Sequence, residues 1–291
     1  MFKIIAKKQL NHQVTQFEIE APRVAKKASP GQFVIIRIDD AGERVPFTIA
    51  DTDTERGTVT FIAQVVGKTT TQLNALNEGD SLMNFVGPLG RPTHFDDGVK
   101  RAIVIGGGLG SAIAYPQSKH LFNRGVQVDT IVGFRNAELV ILEDELAAVS
   151  TNLIITTDDG SYGQKGFVTE ALKNLLSAEN EASAKAGYDV VVAIGPPVMM
   201  KAVCEMTRPL GIHTLVSLNP IMVDGTGMCG GCRVTVGGQT RFACVDGPDF
   251  DGHEVDFDEL MKRNAMYRGH EKLSLDDHIC KLEEEAEQNN A

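Results

Sequence analysis

Arg101-Ala102-Ile103-Val104-Ile105, followed by Gly106-Gly107-Gly108-Leu109-Gly110-Ser111-Ala112, decides how this chain folds. The run through Ile105 is continuously apolar after its arginine, as expected of a strand covered on both faces. Glycines then lead the chain into a helix-like stretch over 112–124. Glycine at such a turn lets a backbone or a ligand approach closely, and the amino end of the next helix favours a pyrophosphate. The same turn also occurs for packing alone. Further β-type runs at 126–132, 153–157 and 190–194 repeat the theme. Strands alternating with helices over 99–218 imply a doubly wound, parallel α/β sheet. Gly195-Pro196-Pro197-Val198-Met199-Met200 ends the last run at the carboxyl edge of that sheet, where such folds bind ligands. The alternative there is an ordinary proline turn capping a helix.

Upstream, the pattern is different. Residues 13–19 and 32–38 are β-branched, partly alternating runs, and 58–66 is a long strand running into Gly67. Pro30-Gly31, Asp40-Ala41-Gly42 and Glu78-Gly79-Asp80 punctuate them as turns. Short strands with regular turns predict a closed or nearly closed antiparallel barrel over 1–98. Within it, Arg44-Val45-Pro46-Phe47-Thr48 lies on a strand. An arginine there can neutralise a diphosphate, and a Thr hydroxyl can donate to a flavin ring nitrogen or carbonyl. Gly67-Lys68-Thr69-Thr70-Thr71 starts a helix directly after a strand, so its free N–H groups and hydroxyls make a second anion site. A solvated arginine and a plain helix cap are the competing explanations. Gly87-Pro88-Leu89-Gly90 is adequately explained as a tight turn.

Beyond the sheet comes Asp224-Gly225-Thr226-Gly227-Met228-Cys229-Gly230-Gly231-Cys232, and then Cys244. With a cysteine at 224 this would be the plant-type spacing that holds a [2Fe–2S] cluster. The glycines let the backbone curl so that N–H groups face sulfide and thiolate. A zinc knuckle with Asp224 or a histidine as fourth ligand, and an uncommitted turn, are the alternatives; a structural zinc site normally brings a second ligand pair, and here only Cys244 follows. Asp246 and Asp249 are competing oxygen donors that lie off this spacing. Residues 219–255 thus form a candidate cluster-binding loop, and 256–291 a C-terminal helix and acidic tail. Asp256-Phe257-Asp258-Glu259 reads as a capping box opening a helix through about residue 264. From Gly269 on the chain is mostly charged, with too few apolar positions to order on a core of its own.

The composition narrows the function classes. A net charge of −11 argues against a nucleic-acid partner, because no basic face could neutralise phosphates. No apolar run approaches the roughly 18 residues that span a membrane, and the stretch after Met1 is too short for a signal peptide. Five cysteines, an odd number, suggest a reducing cytoplasm and ligand thiolates rather than disulfides. Cys204 is expected to be buried and Cys280 to lie in the tail.

Barrel, then nucleotide-type sheet, then cysteine loop: this order resembles the ferredoxin–NADP reductase superfamily. Within it, the chain resembles the electron-transfer subunits of dihydroorotate dehydrogenase. It is more similar still to the small (alpha) subunits of NADH-dependent reduced ferredoxin:NADP oxidoreductases, also called sulfide dehydrogenase beta subunits. The resemblance covers residues 1–266 and implies FAD in the barrel, NAD(H) on the second domain and a [2Fe–2S] cluster near the flavin. Carried over by motif, Pro46, Phe47 and Thr48 match the flavin strand, with Val45 in the usual arginine place and Arg44 one residue earlier. Gly67, Lys68, Thr69 and Thr70 match the segment holding the FAD diphosphate. Gly108, Leu109 and Gly110 match the dinucleotide loop, and Gly133-Phe134-Arg135 the following strand end. Gly195, Pro196 and Met199 match the nicotinamide edge, with Ile194 in place of its usual cysteine. The resemblance assigns the cluster to Asp224, Cys229, Cys232 and Cys244, since the alpha-subunit branch uses one aspartate and three cysteines and the dihydroorotate branch four cysteines. Thr157-Asp158-Asp159 stands where NADP-specific relatives carry a Ser-Arg pair; carboxylates repel a 2′-phosphate, so Asp158 favours NAD(H).

The function so implied is a cytoplasmic, NAD(H)-dependent oxidoreductase subunit that passes electrons between NAD(H), FAD and the cluster. The cofactors, rather than a catalytic side chain, carry the chemistry. Its implied partners are a larger flavo-iron–sulfur subunit with an NADP(H) site, in a heterodimer, and ferredoxin, with flavin-based bifurcation as one mode of coupling. Two readings compete with it: a dihydroorotate dehydrogenase electron-transfer subunit, and a non-enzymatic scaffold whose flavin or nucleotide site is vestigial.

Overall fold

The computed structural model describes residues 1–182 and 187–289, so the last two residues of the expected tail lie outside the described residues. The chain begins with β1 (Phe2–Gln9), β2 (Val14–Glu20), the short α1 (Pro22–Ala25), β3 (Phe33–Arg37), β4 (Val45–Asp53) and β5 (Thr58–Gln64). Helix α2 (Lys68–Ala75), β6 (Ser81–Leu82) and β7 (Asn84–Leu89) follow. The strands pair antiparallel in the order β6-β1-β2-β5-β4-β3-β7, a nearly closed barrel. Alternation sends every second side chain inward. Phe17 of β2 lies opposite Phe61 of β5, their rings 5.4 Å apart, and Phe47 of β4 stacks on Phe61 at 4.8 Å.

The second layer runs β8 (Arg101–Gly107), α3 (Gly110–Asn123), β9 (Gln127–Phe134), α4 (Glu143–Ala147), β10 (Asn152–Thr157), β11 (Gln164–Lys165), α5 (Val168–Ala182), β12 (Val190–Ile194), α6 (Pro197–Thr207) and β13 (His213–Ser217). Its sheet order is β11-β10-β9-β8-β12-β13, all parallel. The apolar run that signalled this sheet, Ala102 to Ile105, is wholly excluded from solvent, as are its neighbours on β12. Burying each such branched side chain contributes about 1.5–3 kcal/mol.

The remaining elements are β14 (Arg233–Val236), β15 (Gln239–Phe242), α7 (Ala243–Asp246), β16 (Asp249–Asp251), α8 (Phe257–Asn264) and α9 (Arg268–Asn289). Strand β16 pairs antiparallel with β13 and completes the second sheet. The segment carrying the cysteines is therefore built into the nucleotide-type sheet; its Cys232, Val234 and Val236 share one core with Ile103, Val191 and the barrel's Phe33 and Ile35. Asp256 caps α8 as expected, accepting from the Glu259 N–H at 2.9 Å. The charged tail, which was not expected to order on its own core, forms the long helix α9.

Polar contacts help hold barrel against sheet. Lys119 of α3 reaches both carboxylate oxygens of Asp51 on β4 at 2.8 Å. Asp249 of β16 is half-buried with its carboxylate enclosed, and accepts from the hydroxyl of Thr93 and from Gln117 Nε2 of α3 at 3.3 Å. Burial pushes the Asp249 carboxyl upward, with the bonds from Thr93, Ser217 and Gln117 pulling the other way.

Candidate functional site

Gly225, Gly227 and Gly230 hold positive φ of 80°, 85° and 66°, the left-handed region that side chains resist. A Cβ on Gly225 would lie 2.2 Å from Ile35 Cδ1, so the cysteine loop rests with its backbone on barrel strand β3. Cys229 is exposed at the tip, and Cys232 and Cys244 are buried beneath. The Gly231 N–H points at Cys229 Sγ from 3.4 Å and holds that thiol below its ordinary value. The Cys244 N–H reaches Cys232 Sγ at 3.5 Å. Burial, helped by the neighbouring Cys232, pushes the Cys244 thiol up to about 12. Asp224 accepts from the N–H of Thr226 at 3.2 Å and from its hydroxyl; these bonds, with the nearby Arg44 charge, hold its carboxyl below the usual range.

Among the described residues, no three His, Cys, Asp or Glu side chains close around a single point as a mononuclear ion requires. The thiols form a looser group, with Cys229 in the electrostatic field of both Asp224 and Cys244. Buried thiols become thiolates only when a cation compensates the charge, so this donor set fits an iron–sulfur group.

The flavin strand is partly as expected. Phe47 faces inward onto Phe61 and Val45 packs on the same barrel core, so the Phe47 side chain belongs to that core. Pro46 and Thr48 alternate to the opposite face. Arg44, expected at the diphosphate, instead donates from Nη2 to the Asp224 carbonyl at 3.1 Å. Gly67 is the extended N-cap of α2, and a Cβ there would meet open space. The amides of the first turn have no acceptor within the helix, which leaves an anion cradle. Thr70 is committed to the turn: its hydroxyl receives the N–H groups of Val66 and Gly67 at 2.9 and 3.0 Å. Thr69 donates its hydroxyl to Glu43 at 2.5 Å. Asp277 of α9 is held below the ordinary carboxylate range chiefly by its bond from Lys281, with the charge of Lys68 adding to it.

At the edge of the second sheet the two glycine turns touch. A Cβ on Gly107 would lie 2.5 Å from Met199 Sδ, and one on Gly110 would lie 2.3 Å from the Ile194 carbonyl oxygen. Gly108, at φ +56°, faces open space, and Leu109 caps α3. Gly195 and Pro196 lead into α6 alongside. Arg135 and Asp158 are exposed at neighbouring strand ends, with the Asp158 N–H on the Phe134 carbonyl at 3.0 Å.

Glu43, Arg91 and Arg263 were missed in the sequence. Arg91 donates to the Val245 carbonyl at 3.1 Å and Arg263 to the Gly231 carbonyl at 3.2 Å, beside Cys244 and Cys232 respectively. Only Glu43 carried a signal, as the neighbour of Arg44.

Comparison with known proteins agrees with this geometry. The "Oxidoreductase FAD-binding domain" family matches residues 1–94, and the "Iron-sulfur cluster binding domain of dihydroorotate dehydrogenase B" matches 219–256. An uncharacterised protein of Clostridium beijerinckii is 53% identical over 93% of this chain and 92% of its own length. A Thermotoga maritima homologue of the dihydroorotate dehydrogenase B (NAD(+)) electron transfer subunit is 46% identical over 94% of each. A chain in the structure of NADH-dependent reduced ferredoxin-NADP oxidoreductase, solved for insight into flavin-based electron bifurcation, superposes with a TM-score of 0.87 at 44% identity, covering 96% of this chain and 98% of that one. With a barrel for FAD, a nucleotide sheet and a thiol loop laid against the barrel, the chain belongs to the family of flavo-iron–sulfur electron-transfer subunits related to that of dihydroorotate dehydrogenase B, built on the ferredoxin–NADP reductase fold.

Proposed function

We propose that this chain is the NAD(H)-oxidising subunit of a ferredoxin:NADP oxidoreductase complex. When bound, FAD exchanges a hydride with NAD(H) and single electrons with the [2Fe–2S] cluster. The observation that carries this reading is the seating of the Asp224–Cys232 loop on β3, with Gly225 against Ile35, which sets the thiols beside the flavin-binding barrel. Gly108 offers the dinucleotide an open backbone edge, beside the closely packed Gly195–Met199 turn. Gly67, Lys68 and Thr69 at the start of α2 take the flavin diphosphate, and Pro46 and Thr48 line its ring. Asp158 and Asp159 repel a 2′-phosphate and so select NAD(H). Asp224, Cys229, Cys232 and Cys244 are the cluster ligands, and a carboxylate in the first place favours this branch over the dihydroorotate one. The chain works with a larger subunit that carries the NADP(H) site and meets ferredoxin. Exposed Val223 and Met228 by the thiols give that subunit an apolar landing near the cluster.

The isolated chain should show flavin and iron–sulfur absorption and reduce an artificial dye with NADH, and far less well with NADPH. Reduction of NADP should require the partner. A colourless chain without iron would refute the reading, and equal use of NADPH would refute the role of Asp158. Asp224→Ala should lose iron while retaining flavin; an unaltered iron content and reduced-state EPR signal would assign the fourth ligand elsewhere.

A further inference from the structure

Three arginines from three parts of the fold end on carbonyls of the thiol-bearing segment, each at a ligand position or next to one. Arg44, at the start of β4, donates to the carbonyl of Asp224 itself at 3.1 Å. Arg263, on α8, donates to the Gly231 carbonyl at 3.2 Å, one residue before Cys232. Arg91, just after β7, donates to the Val245 carbonyl at 3.1 Å, one residue after Cys244. Arg44 and Arg263 are half-buried, whereas the Arg91 side chain is 70% exposed and lies 3.7 Å from Asp246. Arg44 Nε is also buried and has no hydrogen-bond partner among the described residues.

We infer that Arg44, Arg263 and Arg91 form a three-point guanidinium frame that positions the cluster loop and raises the reduction potential of the cluster it holds. The inference rests on the proposed function. The physical case has two parts. A guanidinium fixes direction, because its planar donors meet a carbonyl in one geometry, so three of them clamp a loop whose own glycines give it little stiffness. It also carries a permanent charge. Each electron accepted makes the cluster one unit more negative, so a cation fixed nearby favours the reduced state, and more strongly where burial lowers the local dielectric. Arg44 and Arg263 should therefore dominate. Arg91 is screened by solvent and partly neutralised by Asp246, and should contribute least. Arg44 also ties the cluster segment to the flavin strand, so displacement of the flavin strand is felt at the first ligand.

The test is an EPR-monitored redox titration of the loaded protein, with iron and FAD assayed alongside. Arg44→Gln should lower the reduced-to-oxidised cluster ratio at fixed potential about tenfold, equivalent to about 59 mV for a one-electron couple. Arg263→Gln should shift it in the same direction and Arg91→Gln least, with FAD content unchanged in these two. Arg44→Lys keeps the charge and should restore most of the potential, which a purely structural role would not predict. Equal shifts in Arg44→Gln and Arg44→Lys, or unchanged potentials in all three glutamine variants, would overturn the inference. If both Arg44 variants lose iron, Arg263→Gln decides: an unchanged potential there overturns it. Wild-type protein without FAD or iron would instead sink the proposed function.

Discussion

The nucleotide turn at 106–110 and the thiol loop at 224–232 each carry four glycines, yet they need them for different reasons. In the first, Gly107 and Gly110 exist because other atoms occupy the space a Cβ would take: Met199 Sδ at 2.5 Å and the Ile194 carbonyl at 2.3 Å. Their function is to bring strand, helix and second turn to contact distance. In the second, Gly225, Gly227 and Gly230 are held at positive φ, where the backbone conformation itself excludes side chains. One is a packing requirement and the other a conformational one. The difference teaches that a glycine-rich string signals a functional turn without saying which physical demand it meets.

Substitutions can break this comparison, the most damaging first. Gly110→Ala drives a methyl into backbone that cannot rotate away, so it should cost about 3 kcal/mol or more and lower thermal stability of the whole chain. An unchanged melting temperature would show that α3 can shift freely off β12. Gly225→Ala combines positive φ with contact on Ile35, whose side-chain end can yield, and should cost about 2 kcal/mol. Its readout is local: iron content falls while flavin is retained. Equal loss of both would mean that loop and barrel unfold together.

Gly108→Ala sharpens the contrast, because that glycine has positive φ but nothing near it. It should cost only about 1 kcal/mol in stability, while the added methyl projects into the dinucleotide edge and raises the KM for NADH. A KM equal to wild type would place the nucleotide elsewhere. The smallest effect concerns the junction of the two regions. Burial raises the Asp249 carboxyl, so its neutral form is favoured in the folded protein and stability declines as pH climbs above the ordinary carboxylate range. Asp249→Asn should remove that decline, so melting scans upward from about pH 4 should show the variant gaining on wild type. A gap that stays constant throughout would show that folding does not raise this carboxyl.

Elements with strong local patterning were legible in the sequence. The apolar run of β8, the bounds of β12 and the capping of α8 by Asp256 follow from neighbouring residues alone. The barrel strands were visible from β-branched runs between turns. Strand β16 was not: Asp-Phe-Asp is three residues long, and its pairing with β13 is set by the sheet edge. The inward direction of the Phe47 ring was not legible, since a motif does not state which face of a strand a side chain occupies. The roles of Arg91 and Arg44 depend on carbonyls 154 and 180 positions away, beyond any local signal. Helix α9 was hidden because its sequence has no apolar stripe, and Leu273 and Ile279 remain exposed on it.

The antiparallel strand β16 also guards a sheet edge. While the nascent chain is still short of residue 249, β13 has an uncapped edge, the kind of surface that recruits stray strands. Cys244, the last candidate ligand, precedes β16 by only five residues, so the short segment that ends the cysteine region is also the one that covers this edge.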